Sequence, residues 1–304
     1  IPPELILRIL ASDSIEELDL TFCDLRGVIV PETLPASLKA LNIRQAENIP
    51  PELMSRALAS DSIEELSLYG CDLSGVIVPE TLPASLKRLK LKWAENIPPE
   101  LILRILNSTN IEELNLSNCD LRGVIVPETL PASLKTLNLR YAKNIPPELI
   151  SRALASDSIE ELDLSFCDLR GVIVPETLPT SLKALDIRQA RNIPPELMSR
   201  ALASDSIEEL DLSDCDLRRV IVPETLSTSL KALDLARATN IPSALISRIT
   251  KIEELNLTCC DLRGVIVPET LPASLKIVSL MVARNIPPEL ILRILASDSI
   301  EELS

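Results

Sequence analysis

The sequence predicts an α/β solenoid: short strands stacked coil on coil into one parallel sheet, backed by short helices that alternate with extended or 3₁₀ returns. Three observations predict it. A unit of 48 residues recurs along the chain with no linker between copies. Each unit holds two half-units with one shared apolar spacing. At the centre of each half-unit, apolar and polar residues alternate with period two, the mark of a half-buried strand.

The repeat comes first. The segment Ile1-Pro2-Pro3-Glu4-Leu5 returns at Ile49, Ile97, Ile145, Ile193 and Ile241, each 48 residues on. The sixth unit is three residues short, so the last return is at Ile286. Residues 1–48 and 145–192 differ at only six places. One such unit cannot bury its apolar side alone; stacked neighbours complete a continuous core. We therefore expect a single elongated domain over 1–304, with six double repeats and part of a seventh.

The half-units come next. In the first, or A coil, Ile15, Leu18, Leu20, Cys23 and Leu25 are apolar or small. In the second, or B coil, Leu38, Leu41, Ile43, Ala46 and Ile49 take those places. The coils span about 22 and 26 residues. One short strand per coil gives a parallel sheet of about thirteen strands.

The patterns Ile15-x-x-Leu18-x-Leu20-x-x-Cys23-x-Leu25 and Leu38-x-x-Leu41-x-Ile43-x-x-Ala46 resemble the leucine-rich repeat family, over essentially the whole chain. The lead-in Leu34-Pro35-Ala36-Ser37-Leu38 is similar to that of some bacterial effector repeats. The resemblance implies a curved horseshoe whose strands line the concave face, and a usual role in binding another protein. It also implies that any activity would reside in a domain outside these residues.

The remaining segments belong on the convex side. Asn48-Ile49-Pro50-Pro51-Glu52 is a helix start, with Asn48 as the candidate cap, prolines in the first turn and an acid near the positive helix end. A short helix is expected from Leu53 to about Leu58. The A coil instead returns through Gly27-Val28-Ile29-Val30-Pro31, where proline and a β-branched run favour an extended path. The stretch Ile1 to Leu10 also resembles the start of an F-box, but it recurs in every unit and reads as a convex helix.

Composition excludes several chemistries. The chain has no histidine, so it has no His-based general base, no Ser-His or Cys-His pair and no imidazole metal ligand. No phosphate-binding glycine loop or cofactor signature appears, and we expect no enzyme activity and no cofactor. A net charge of −15 opposes the phosphate backbone, so nucleic acid is not the expected partner. No apolar run approaches the ~18 residues of a membrane span.

Cysteine recurs after the A strand as Cys23, Cys71, Cys119, Cys167, Cys215 and Cys260. Successive copies should lie two strand spacings apart, roughly 9–10 Å. A disulfide needs Cα atoms within about 7 Å, so six buried structural thiols are expected. Free thiols favour a cytoplasmic or other reducing compartment, the host cytosol if the chain is an effector.

Strand residues alternate, so outward side chains can be read off. Glu16, Lys39, Glu64, Lys87 and their successors form a column of alternating charge that sets register and solubility. All five aromatics fall at the strand exit: Phe22, Trp93, Tyr141 and Phe166 share one position, with Tyr69 one place earlier. Rings confined to an outward edge are what an interface uses as anchors, or else they merely cover the sheet edge. Arg44, Arg88, Lys90, Lys92 and Arg140 interleave with them. Farther along, Asp163, Asp186, Asp211 and Asp234 occupy the middle of four consecutive strands. Like charges opposed across a sheet are unfavourable, so this ladder fits a basic partner surface, a weak Ca²⁺ site or a solvated acidic face. A line of ligands cannot wrap a cation, and no coil is long enough to build a glycosidase lid.

The expected function is non-catalytic binding of a protein partner through the concave face and strand-exit edge. Near-identical units also fit a spacer or an engineered scaffold with no evolved partner. Neither end shows a polar capping unit, which predicts flanking sequence in the parent protein or end-to-end self-association.

Overall fold

The structure is a computed structural model that describes residues 2–224 and 226–304; Ile1 of the first helix-start motif lies outside them. It divides into two compact units, Ile1–Ile159 and Glu160–Ser304.

In the first unit, β1 (Glu17–Asp19), β2 (Ala40–Asn42), β3 (Glu65–Ser67), β4 (Arg88–Lys90), β5 (Glu113–Asn115) and β6 (Thr136–Asn138) pair in chain order, all parallel. In the second, β7 (Glu161–Asp163), β8 (Ala184–Asp186), β9 (Glu209–Asp211), β10 (Ala232–Asp234), β11 (Glu254–Asn256), β12 (Ile277–Ser279) and β13 (Glu302–Leu303) do the same. Leu18 pairs with Leu41 and Leu41 with Leu66, so the coils measure 23 and 25 residues, closer in length than the sequence pattern suggested. From β1 to β11 each strand turns its central Leu into the core and its flanking residues outward, as with buried Leu66 between half-buried Glu65 and Ser67; β12 does the same with Val278, while Leu303 of β13 stays exposed.

Helices α1 (Pro3–Leu10), α2 (Pro51–Leu58), α3 (Pro99–Leu106), α4 (Pro147–Ala153), α5 (Pro195–Ala203) and α6 (Pro288–Leu295) each begin on the second proline of the motif. They back the core through one apolar face, in α2 through Leu53, Met54, Ala57 and Leu58. In α2, α4 and α5 an arginine of the last turn fastens the helix to the preceding return: Arg56 donates to the Val30 carbonyl at 2.7 Å, Arg152 to that of Pro127 and Arg200 to that of Val174 at 2.8 Å. In the shortened sixth unit, Ser243 and Ala244 replace the Pro-Glu pair, and only a 3₁₀ turn, Ile246–Arg248, remains.

Asn48 is not the helix cap. The cap residue is Pro50, which offers no side-chain hydrogen bond; counted from Asn48, the two positions whose amides a cap side chain would bond are Pro50 and Pro51, which have none. Asn48 instead takes a left-handed φ of 51° and donates its amide to Asp24 Oδ1 at 2.8 Å. The pair repeats as Asn96–Asp72, Asn144–Asp120, Asn192–Asp168, Asn240–Asp216 and Asn285–Asp261. Asparagine tolerates the left-handed region, and its short amide reaches the carboxylate of the preceding coil.

The cysteines sit where the strand turns into the core. Cys71, Cys119, Cys167, Cys215 and Cys260 are buried, whereas Cys23 is only half-buried. Cys71, Cys119, Cys215 and Cys260 donate to a carbonyl of the preceding B coil, as Cys119 does to Leu91 at 3.0 Å, 28 residues back. The expectation of six buried thiols therefore fails at Cys23. Burial pushes the Cys71, Cys119 and Cys215 thiols up to about 12, which keeps them protonated.

Candidate functional site

In the first unit the outward residues of β2, β3 and β4 converge at the strand exit. Arg44 and Tyr69 hold one outward position on adjacent coils, and the guanidinium lies 4.2 Å from the ring centre. Lys92, on the next coil, brings its ammonium within 5.7 Å of the same ring. Tyr69 thus contacts two cations. Arg140 lies over Tyr141 at 5.4 Å. Arg88 and Lys90 behave differently: both bond Glu65, at 3.0 and 2.6 Å, and hold its carboxyl below the usual range. Of the basic residues the sequence singled out here, Arg44, Lys92 and Arg140 meet rings, while Arg88 and Lys90 are largely neutralised within the sheet.

The edge itself has a backbone signature. After β1 the chain turns, with Cys23 N–H bonded to the Leu20 carbonyl and the second of the two residues between them, Phe22, left-handed; the turn recurs along the chain. A positive φ at this third position of a turn favours glycine or asparagine. The column does contain Gly70 and Asn118. It also holds Phe22, Trp93, Tyr141 and Phe166, at φ values of 59°, 61°, 56° and 63°. Phe22, Trp93 and Tyr141 remain 70%, 53% and 41% exposed. Phe166, in the second unit, is half-buried. In the second unit the same edge is polar between Gln189 and Arg237: Arg237 grips Asp214 through two nitrogens, and Gln189 donates to it at 2.8 Å.

The aspartate ladder forms as spaced. Asp163 pairs with Asp186, Asp186 with Asp211 and Asp211 with Asp234. It is not a bare acidic face. Each Oδ1 accepts the backbone N–H two residues on, from Ser165, Arg188, Ser213 and Ala236. Asn42, Asn115 and Asn256 make the same turn elsewhere, so the column is a turn-closing position first. Arg188 then reaches Asp186 at 3.0 Å and Asp211 at 3.4 Å. Burial, aided by the neighbouring carboxylates, still pushes Asp186 up to about 6 and raises Asp234. Among the described residues no group of three acidic or thiol side chains is set to hold a metal ion.

Sequence reasoning missed Arg188, although its signal was present. The third outward position of successive B coils reads Arg44, Lys92, Arg140, Arg188. It also missed the left-handed column, which aromatic side chains disguise. Most of the proposed residues fall into two groups, basic and aromatic side chains in the first unit and an acidic ladder in the second, where Phe166 also lies.

Residues 110–131 match the Leucine Rich Repeat family model. No curated protein matches the sequence. An internalin from Listeria monocytogenes is similar at 14% identity, over 91% of this chain and 93% of that one, with a TM-score of 0.48. YopM from Yersinia enterocolitica is similar at 20% identity, over 95% of this chain and 50% of that one, with a TM-score of 0.34. The leucine-rich repeat domain of APL1 is similar at 14% identity, over 88% of this chain and 74% of that one, with a TM-score of 0.38. Among the described residues no helix is long and apolar enough to cross a membrane.

Proposed function

We propose that this leucine-rich repeat chain is a non-catalytic module that binds a protein partner through its outward sheet face and strand-exit edge. The observation that carries this reading is the set of rings at left-handed positions. An L-residue there is disfavoured by roughly 1–2 kcal/mol, and bulky side chains are the rarest occupants. Phe22, Trp93 and Tyr141 contribute little to the core, because they are exposed. Large rings held on a strained, solvent-facing turn suit a contact surface better than they suit folding. The rigid sheet fixes their directions, so little conformational entropy is lost on binding.

Around Trp93 and Tyr69 the cations Arg44 and Lys92 favour an acidic partner segment, and charge would chiefly steer encounter and set specificity. The carboxylates Asp163, Asp186, Asp211 and Asp234 favour basic groups, with Arg188 already occupying part of that field. A spacer role, the alternative, offers no reason for rings at these turns.

The test is affinity capture with the intact chain against a Trp93→Asn, Tyr141→Asn variant, both checked by circular dichroism. A partner retained by the wild type and lost by the variant supports the reading. Equal capture by both refutes this placement of the site.

A further inference from the structure

The second unit departs from its repeat just before β11. In α5 the helix buries Leu197, Met198, Ala201 and Leu202. The sixth double repeat keeps Leu245, Ile246 and Ile249 buried at the first three of these places, but exposed Thr250 stands where Leu202 stood. Ser243 and Ala244 supply neither the pre-set proline nor the first-turn acid of the other helices, and the segment closes only as the 3₁₀ turn Ile246–Arg248. A pocket of about 10 Å³ borders that turn, lined by side chains that include Ile246, Ile249, Ile252, Leu271, Leu290 and Ile294. The lining is apolar, so a water there would find no partner, and the aliphatic groups facing the pocket forgo van der Waals contacts.

The ties that hold a full helix against the coil are reduced at the same place. After α2, the Ser62 hydroxyl donates to the Pro35 carbonyl of the preceding return at 3.1 Å. Ser158 and Ser206 repeat this latch to Pro131 and Pro179 at the same distance. In the sixth double repeat Thr250-Lys251 replaces the serine turn, and Ser227 stands where the proline would be, so neither half of the latch is present. Proline also restricts the opened chain, and its loss therefore favours opening. Two ties remain. Arg248 donates to the Val222 and Pro223 carbonyls at 2.6 and 2.7 Å, and the Ile266 N–H donates to the Ser243 carbonyl at 2.8 Å.

The sheet is unaffected. β10 pairs with β11 and β11 with β12 over all three residues of each strand. The weakness is thus confined to the helix side of the coil, which is where local opening has least hydrogen bonding to break.

We propose that residues 243–251 form a lid on the helix side of the second unit, which opens while β10, β11 and β12 stay paired and so uncovers an aliphatic cleft of Ile252, Leu271, Leu290 and Ile294. The device does not rest on the sheet-face reading, because no strand-exit residue takes part in it.

The test compares two side chains that a rigid structure would treat alike. Ile246 is 2% exposed, and Met198, at the same repeat position in α5, is 3% exposed. In the full chain, Ile246→Cys should be alkylated under native conditions about tenfold faster than Met198→Cys, read by mass mapping of the two peptides. Hydrogen exchange of the wild type supplies the second measurement and needs no substitution. The Arg248 and Ile249 amides should exchange about tenfold faster than those of α5. The Leu235 and Leu257 amides, bonded across the sheet to Asn256 and Ser279, should stay as protected as that of Leu212. Equal labelling at the two cysteines overturns the lid, as does equal exchange of the turn and α5. Exchange of Leu235 and Leu257 in step with the turn also overturns it, because the whole coil would then be opening. Partner capture reads the strand-exit edge and reports on the other reading separately.

Discussion

Arg188 spans Asp186 and Asp211, with guanidinium nitrogens 3.0 and 3.4 Å from carboxylates on adjacent coils. It stands at the third outward position of its coil, beside the ladder of four stacked aspartates. Removing it leaves these partly buried charges uncompensated. Arg188→Ala should therefore destabilise the chain by on the order of 2 kcal/mol at pH 7. The deficit should shrink at pH 5, where Asp186 takes up a proton. Thermal unfolding at both pH values checks this; an equal deficit at each would remove the electrostatic explanation.

Asp186 gives the converse test. Its folded pKa is about 6, above the ordinary carboxyl value, so the fold favours the protonated form. The unfavourable contribution is absent below about pH 4, grows between 4 and 6, and is complete above 6. Asp186→Asn should thus stabilise the chain at pH 7, by on the order of 2 kcal/mol, and leave it unchanged at pH 4. Asparagine fits the position, since Asn42 and Asn256 close the same turn. A flat difference between wild type and variant from pH 4 to 7 would contradict the assignment.

The architecture was legible because it rests on spacing. Leu18, Leu41 and Leu66 announce both the strands and their register through period-two alternation repeated twelve times. The outward columns followed from the same alternation, which is why the Asp163–Asp234 ladder assembled as read. Turn geometry was not legible. Phe22 or Trp93 gives no sign of a left-handed backbone, which the stacked ladder imposes against local preference. Asn48 was misread as a cap because one residue type serves both uses, and only the Asp24 carboxylate of the preceding coil distinguishes them. The Glu65 bonds to Arg88 and Lys90 escaped notice because side-chain reach is not a sequence pattern.

The Asn144–Asp120 pair separates backbone from side-chain effects. Asn144 sits at φ 52° and donates to Asp120 Oδ1 at 2.7 Å. Asn144→Gly keeps the backbone and loses the bond; Asn144→Ala loses both. Glycine should lower stability by about 1 kcal/mol and alanine by about 2–3 kcal/mol. Urea midpoints of the two variants decide the order; alanine equal to glycine would show that the left-handed backbone is not a constraint.

Thiol reactivity should follow depth. Cys259 is exposed on the strand-exit edge, whereas Cys119 is buried and bonded to the Leu91 carbonyl. With its thiol pushed up to about 12, Cys119 should stay silent to an alkylating reagent at pH 8. Cys259 should react within minutes and half-buried Cys23 more slowly, while all seven cysteines react in denaturant. Mass mapping of the native time course reads this directly. Early labelling of Cys119 would mean that the coil opens more readily than its packing implies.

Val282 offers the cleanest measure of strain in the left-handed column. It is β-branched, stands at φ 58° and is 66% exposed, so it is disfavoured by its backbone and gains little from burial. Asparagine, already present at this position as Asn118, relieves the clash without touching the core. Val282→Asn should therefore raise stability by about 1 kcal/mol, a shift of roughly 2 °C in Tm for a chain of this size. The same change at Trp93 should also stabilise, by a similar amount, while weakening the proposed partner contact. Stability gained and affinity lost in one substitution would mark the aromatic turns as kept for binding. If Val282→Asn leaves Tm unchanged, or lowers it, the neighbouring coils hold the left-handed turn without strain, and the argument from disfavoured rings falls with it.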